Sequence, residues 1–470
     1  MPSEALDAVV VGAGPNGLAA AIRLAQAGRS VLVLEANRRP GGGLRSDELL
    51  EPGFRHDICS TVMAMVPLSP ALKTIEFDLV TPPAPLAHPF DDGTAAVVER
   101  SVEETAEALG GDGPAYRRLL RPLVKRADDL VADAMGPLKP PRHPLLLGRF
   151  GMPGLLPAGA LARVLFRERD TRALLAGTAA HSMLALSEPG TAAFALVMLV
   201  TAHAGGWPLA RGGSQSVAEA LVARLEQLGG EVRCGERVTS LDHVPEHRAA
   251  LLDLVPEGVL AVAGDRMSPA YRKRLQRYRH GPAVFKVDWT LDGPIPWRAP
   301  ACARAATVHL GGTLEEIAHS EHEVARGRSA ERPFVILVQP TLFDSSRAPA
   351  GKHVAWAYCH VPNGCDQDLT KAVEDQVERF APGFRDVVRQ RRTWTPAQLQ
   401  VEQPNCIGGD ISGGRMDLGQ LFTRPVARLD PYRTSDPAIF ICSAATPPAG
   451  GIHGLCGWYA ARSALRSVLA

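Results

Sequence analysis

Three glycine clusters and a handful of ionisable side chains hold the chemistry this chain could perform. The first cluster, V-V-V-G12-A-G14-P-N-G17-L, follows a valine-rich run and opens an alanine- and leucine-rich one. Gly12 permits a tight turn, Gly14 lets backbone touch a pyrophosphate, and Gly17 lets helix and strand pack closely. The helix mouth adds partial positive charge. Glu35 ends the next strand-like run, about 20 residues on, where a carboxylate reaches ribose hydroxyls. These elements together predict a dinucleotide site, although the fingerprint alone does not separate FAD from NAD.

The second cluster is P-G41-G42-G43-L-R45-S, another place where backbone can approach a ligand. Arg38, Arg39 and Arg45 could be read as recognition of a 2′-phosphate, but Glu35 would repel one. The third cluster, A-G450-G451-I-H453-G454-L-C-G457-W, opens an apolar run near the C-terminus. Its backbone N–H groups would stabilise negative charge on a ligand. His453 there either touches that ligand or caps and packs the helix. His56 and Asp57 form either a polar pair facing a substrate or a set of loop-stabilising hydrogen bonds. In AVFKVDWTL, alternation sets Lys286 and Asp288 on one strand face, either solvated or ion-paired, or as a water-ordering lysine. His203, Trp207 and Tyr358 are candidate substrate contacts, with ordinary packing as the alternative. The histidines show no metal-ligand spacing, so no metal is expected.

These residues need elements to position them. ALDAVVVG, LAAAIRLAQAG and RSVLVLEA read as strand, helix and strand, a βαβ unit that implies a parallel sheet. Proline clusters and helical runs fill residues 66 to 206. The βαβ texture returns at Arg211, with Ser216 expected as an N-cap and EVRCGERVTSL as a strand pair. AVFKVDWTL, PFVILVQPTLF and KHVAWAYCHV read as strands, and AIFICSA as a final strand running into the third glycine cluster. The expected fold is α/β: a Rossmann-like dinucleotide domain from residues 1–65, 207–265 and 401–470, with a parallel sheet discontinuous in sequence. Residues 66–206 and 266–400 are expected to form a mixed-sheet and helical substrate domain.

Bulk composition narrows the rest. A chain of 470 residues suits two or three domains. Lys+Arg at 51 balance Asp+Glu at 50, which gives no reason to expect a nucleic-acid partner. The eight cysteines are scattered without a C-x-x-C, so neither a zinc ribbon nor a redox disulfide is expected, and a cytoplasmic setting is. The opening residues show no leader pattern. TAAFALVMLVTAHA is uncharged but short for a membrane span, and reads as a buried helix or a pocket wall. The stretch PRHPLLLGRFGMPGLLPAGALARVLF is a candidate for peripheral contact with a membrane surface.

VVVGAGPNGLAAA, PGGGLRS, PGFRHDICS, GGWPLARGGSQSVAEAL and PPAGGIHGLCGWYAARSAL resemble the phytoene dehydrogenase-like flavoproteins. That family includes carotenoid desaturases and isomerases, and shares a fold with amine oxidases and GDP-dissociation inhibitors. The resemblance spans both ends and the middle of the chain. It implies FAD, with Gly12, Gly14, Pro15, Asn16 and Gly17 at the pyrophosphate and Glu35 and Ala36 at the ribose. It places Gly42, Gly43, Leu44 and Arg45, with Ser443, Gly451, Ile452 and His453, toward the flavin, and Val238 at the adenine. The stretch after Val238 is shorter than in relatives. The implied activity is dehydrogenation of a largely apolar small molecule by hydride transfer to flavin N5, with catalytic candidates His453, His56 and Lys286. Reoxidation would fall to oxygen, a quinone or another acceptor, because no second nucleotide fingerprint is present. A reduced-flavin isomerase or saturase, and a non-catalytic lipid-binding escort, are the alternatives. Substrate identity and oligomeric state stay open.

Overall fold

The structure is a computed structural model that describes residues 5–470. Residues 1–4, on which the leader reading partly rests, lie outside the described residues. Leu6–Val11, Val31–Glu35, Glu231–Cys234, His247–Leu252 and Ile439–Ile441 form a five-stranded sheet. All its pairings are parallel, with Leu6–Val11 central between Val31–Glu35 and His247–Leu252. The valine- and leucine-rich strands are buried on both faces, as parallel strands under helices must be. Helices Pro15–Ala25, Gln215–Gln227 and Leu455–Leu465 cover one face. Helices Pro256–Ala263 and Pro269–Leu275 cover the other.

Two glycines explain how the chain's two ends meet. Helix Leu455–Leu465 lies directly on helix Pro15–Ala25. A Cβ on Gly457 would collide with the Asn16 carbonyl, and one on Gly454 would sit 2.7 Å from Ala19 Cβ. These two glycines therefore serve helix crossing. Gly457→Ala is expected to cost about 1–3 kcal/mol or more through overpacking, read as a fall in Tm.

A second sheet of seven strands runs in the order Val388–Trp394, Ala283–Leu291, His353–Val361, Val335–Val338, Ala305–Leu310, Ala84–Pro89, Ala95–Val98. It is antiparallel except where Ala305–Leu310 meets Ala84–Pro89. One face, with Phe285, Val287, Trp289, Leu337 and Ala357, packs under helix Thr370–Phe380. The opposite face carries Lys286, Asp288, Trp356, Tyr358 and His360, and Trp356 joins the core formed by the helical segment. Helix Thr191–Gly205 belongs to that core, stopped at both ends by left-handed glycines, Gly190 and Gly206. No single helix among the described residues is long and apolar enough to cross a membrane.

Two local expectations need correction. EVRCGERVTSL is not a strand pair: Glu231–Cys234 is the strand, and Gly235, at φ +80°, turns the chain out of the sheet. Val238 therefore lies in a loop, half-buried against the core under the parallel sheet. Ser216 is not the N-cap of its helix. Ser214 holds that position, and remote residues satisfy the helix mouth: Asp57 accepts Ser214 N–H at 2.8 Å and Ser46 Oγ accepts Gln215 N–H at 3.1 Å. Ser216 Oγ donates instead to Gly213 O.

Candidate active site

The first glycine cluster forms a tight cradle. Gly12 adopts φ +101°, and Gly14, with no side chain to donate a cap, begins helix Pro15–Ala25. A Cβ on Gly14 would lie 2.7 Å from Asp253 Oδ2, and one on Gly17 would collide with the Gly12 carbonyl. Glu35 sits at its strand end, where Oε2 accepts Ala13 N–H at 2.7 Å and Oε1 accepts Asn37 N–H at 2.8 Å. Asn37 Nδ2 donates to the same Oε1, so Glu35 keeps unused acceptor capacity for a hydroxyl. Asn16 Oδ1 is buried here without a hydrogen-bond partner. A helix mouth that begins at a glycine, an orphaned amide oxygen and glycines that tolerate no Cβ fit a bound pyrophosphate. Ala36, next to Glu35, is exposed.

Asp253, which sequence reasoning missed, completes this cradle from the end of strand His247–Leu252 and accepts Gly17 N–H at 3.0 Å. Burial pushes its carboxyl up to about 7, the Gly17 N–H opposes, and the Glu35 carboxylate adds to the rise. The residue is remote in sequence from the fingerprint it supports, and only the strand order brings it there.

The second glycine cluster abuts the first. A Cβ on Gly42 would lie 3.1 Å from Gly14 Cα, and Gly41 N–H donates to Ala13 O. Leu44 is buried beneath the loop. Arg45 is committed to Glu402, at 2.7 Å, and to the Glu402 carbonyl. Past Gly43 comes Cys59, 3.6 Å from where a Gly43 Cβ would stand. Burial pushes the Cys59 thiol up against the pull of the Lys286 and Arg45 charges, and Lys286 Nζ reaches the backbone two residues before it, at Asp57 O.

Lys286 is 3% exposed, which overturns the solvated reading and leaves the ion-paired one. Its Nζ lies 2.6 and 2.7 Å from the two Asp288 oxygens and donates to Asp57 O at 3.1 Å. Trp394 Nε1 donates to Asp288 at 2.8 Å. Burial alone would raise the Asp288 pKa, but the Lys286 charge and then His56 hold it below the ordinary value. Tyr358 lies directly across the ladder from Lys286. His56 Nδ1 is 3.5 Å from Asp288 Oδ1, and neither His56 nitrogen has a hydrogen-bond partner. Asp57 faces away from this role: it accepts from Ser46 Oγ, Thr61 Oγ1 and Ser214 N–H, and pairs with Arg347. The expected His56–Asp57 couple is thus split, and His56 faces Asp288 instead.

His453 is fully buried and has both nitrogens in use. Leu455 N–H donates to Nδ1, so Nε2 carries the ring proton and donates to Ala449 O. Burial lowers its pKa to about 4 against the pull of the Ala449 and Gly450 carbonyls, so it is neutral at pH 7. This is the capping and packing alternative; His453 keeps no nitrogen for a substrate. Ser443 is buried, donating to Leu254 O. Gly451, at φ +130°, is exposed, and Ile452 is half-buried.

His203 and Trp207 lie within the helical layer. His203 Nε2 meets Tyr116 OH at 2.7 Å, and Trp207 Nε1 donates to Thr201 Oγ1 at 3.0 Å. Both are satisfied packing residues, apart from the Lys286 cluster. The wall beside that cluster comes from Met183, packed with Val284, Trp394 and Tyr358. Met183, Trp207 and Ala449 hold left-handed backbone, at φ +55°, +51° and +91°. Such strain in non-glycine residues persists only where surrounding structure imposes it, and it gathers at functional sites. Residue type carries no signal for it.

Comparisons with known proteins agree with the fold. Residues 10–75 match the family model described as an NAD(P)-binding Rossmann-like domain. The rat protein named pyridine nucleotide-disulfide oxidoreductase domain-containing protein 2 is 24% identical, aligned over 98% of this chain and 94% of its own length. The phytoene dehydrogenase of Streptomyces griseus is 29% identical over 80% of this chain and 76% of its own. Over most of its length this chain is similar to the phytoene dehydrogenases and desaturases, and these relatives support an FAD-type oxidoreductase. Its fold is shared with amine oxidases: a redesigned putrescine oxidase superposes with a TM-score of 0.60 at 16% identity, covering 99% of this chain and 98% of that one.

Proposed function

We propose that this oxidoreductase holds FAD across the two abutting glycine loops and dehydrogenates a largely apolar small molecule. The observation that carries the reading is the close approach of Gly42 to Gly14, which sets the second glycine loop against the mouth of helix Pro15–Ala25. Gly12, Gly14, Pro15, Asn16 and Gly17 would hold the pyrophosphate, and Glu35 a ribose hydroxyl. Gly42 and Gly43, with Gly451 and Ile452, would line the ring, and Leu44 would support the loop from beneath. When bound, FAD supplies two-electron acceptance from the substrate.

The chain's own side chains do the rest. Asp288, Trp394 and the Asp57 carbonyl fix the Lys286 ammonium in a buried position, so its charge is preorganised and costs no reorganisation. His56, with two unpaired nitrogens, is the side chain of the cluster equipped to take or give a proton. Met183, Val284 and Tyr358 present apolar surface that excludes water. The name of the Streptomyces griseus relative supports an apolar, isoprenoid-like substrate. The acceptor is oxygen, a quinone or another carrier.

Anaerobic titration tests this. The yellow protein is expected to bleach with an apolar alkene or terpenoid substrate, whose product has lost two hydrogens. Rapid stoichiometric bleaching by NADPH, or a product unchanged in mass or two hydrogens heavier, would overturn the dehydrogenase reading in favour of a reductive or isomerising one. His56→Leu is expected to keep the flavin spectrum while turnover falls about 10²–10⁴-fold. Unchanged turnover would remove His56 from proton transfer.

A further inference from the structure

One rung of the seven-stranded sheet leads from Lys286 to a second group of polar side chains. Lys286 lies across from Tyr358, Tyr358 from Ile336, and Ile336 from His309. His309 thus stands three strands from Lys286, about 14 Å at the usual strand spacing. Helix Arg169–Ala180 covers it, and Gly177 leaves the room: a Cβ there would lie 2.7 Å from His309 Nδ1. His181 ends that helix, and its Nε2 meets His309 Nε2 at 3.0 Å. On the strand of Tyr358, His360 Nδ1 lies 2.9 Å from both Glu321 oxygens. The rings form a chain: Tyr358 to His360 at 5.8 Å, His360 to Phe334 at 6.2 Å, Phe334 to His309 at 5.3 Å, and His309 to His181 at 5.0 Å.

These groups border a hollow and keep hydrogen-bonding capacity in reserve. Trp356, His360, Lys286 and Ile336 surround Tyr358 on its face of the sheet and are all buried, and the helical layer packs over them. Tyr358 itself is half-buried, so its exposed atoms open on an enclosed space. His181 is half-buried too, between buried Ala180 and Ser182. Met183, two residues on, packs with Tyr358 against Trp394, so the apolar wall described above continues into this polar corner. His360 Nε2 is buried without a hydrogen-bond partner. The bond to His309 occupies one His181 nitrogen and leaves the other. Burial raises the Tyr358 pKa above its ordinary value with no hydrogen bond opposing it, so that hydroxyl is a neutral, unused donor. Buried polar groups left unpaired are costly, and a bound partner relieves the cost.

We propose that this corner binds a hydroxyl carried by the otherwise apolar substrate, with Tyr358 and His181 as its hydrogen-bond partners and His360 beside them. The charge balance selects a neutral group. Burial lowers the His181 pKa to about 3, with the His360 charge adding to the fall, so its ring is neutral at pH 7. The Glu321 carboxylate is already paired with His360. A substrate ammonium would compete for that paired carboxylate, and a substrate carboxylate would be repelled by it. A hydroxyl both donates and accepts, which suits a phenol and a neutral imidazole. Because His181 is bonded to His309, three strands from Lys286, the hydroxyl is a handle for recognition and leaves the reacting carbons beside Lys286 and His56. This assignment rests on the apolar-substrate reading above and names what that substrate carries.

Titration of the flavin-loaded protein, followed by its flavin and tryptophan spectra, tests it. The probes are a length series of isoprenoid alcohols, from geraniol upward, and the hydrocarbons of the same skeletons. An apolar pocket without polar partners would favour the hydrocarbon, because the alcohol must give up its water. Here the best-held alcohol is expected to bind about ten-fold more tightly than its hydrocarbon, or better. Tyr358→Phe removes one hydroxyl and keeps the ring, so it should erase about ten-fold of that preference while leaving the hydrocarbon affinity and the flavin spectrum unchanged. His181→Leu should also erase it, and Tyr358→Phe decides alone where His181→Leu does not fold. Equal affinity for alcohol and hydrocarbon, no binding of any alcohol in the series, or a Tyr358→Phe variant that keeps the parent's preference would overturn the proposal. So would a variant that loses both affinities together, as a merely structural role would give. Binding is read without turnover: lost selectivity would leave the dehydrogenase reading standing, and bleaching by NADPH would leave the hydroxyl site standing.

Discussion

Replacing Gly14 by Val is expected to give a folded, colourless protein. A Cβ at this position would stand 2.7 Å from Asp253 Oδ2, and that oxygen is fixed by the Gly17 N–H. The valine methyls would also crowd the mouth of helix Pro15–Ala25, where the pyrophosphate would meet backbone N–H groups. Gly14 itself has extended backbone, at φ −72° and ψ 173°, which valine adopts without strain. The core strands and the helix contact with Leu455–Leu465 are untouched, so circular dichroism should match the parent. Flavin affinity should fall by about 100-fold or more, equivalent to losing about 3 kcal/mol of binding. Retention of a parent-like visible spectrum would show that the dinucleotide does not approach this turn.

The second large effect concerns stability. Arg347 is fully buried and pairs with Asp57 at 2.6 Å and Asp344 at 3.1 Å. It also donates to Ala210 O, while Asp344 accepts Gly212 N–H and Asp57 accepts Ser214 N–H. One guanidinium thus ties the loop after strand Val335–Val338 to His56–Asp57 and to the mouth of helix Gln215–Gln227. Arg347→Met leaves two buried carboxylates without their cation, and should cost about 3–5 kcal/mol. Adding Asp57→Asn should recover part of that loss, because it removes one uncompensated charge. For Asp57, burial works to raise the pKa, but the Arg347 charge and the hydrogen bonds from Ser46, Thr61 and Ser214 hold it below the ordinary 3.8. Its contribution is therefore complete above the ordinary value and is lost as pH falls through the lower, folded one. The parent should lose this stability only in strongly acidic solution. A parent and Arg347→Met variant with equal Tm at neutral pH would deny the pair its role.

These two predictions also mark what sequence could and could not disclose. The Gly12–Gly17 turn and Glu35 were legible because their chemistry is local: a strand, a turn and a helix within one βαβ unit. The seven-stranded sheet was partly legible through the alternation in AVFKVDWTL and KHVAWAYCHV, yet alternation could not tell a solvated Lys286 from a buried, paired one. Asp253 and Arg347 were invisible because each acts on residues far away in the chain, brought near only by strand order. The third glycine cluster was read too uniformly. Gly454 and Gly457 serve helix packing and His453 caps the last helix, while Gly451 alone of these is exposed. Ser216 was a reasonable N-cap by residue type, but Asp57 and Ser46 already satisfied that helix mouth from across the fold.

The central claim is that the paired glycine loops hold FAD. The most direct measurement is chromatography of the chromophore released by denaturing the purified protein, with its absorbance compared to the protein's. The account predicts FAD, released intact and stoichiometric with the chain. Release of NAD or FMN instead, or a colourless protein that takes up no FAD on incubation, would contradict it.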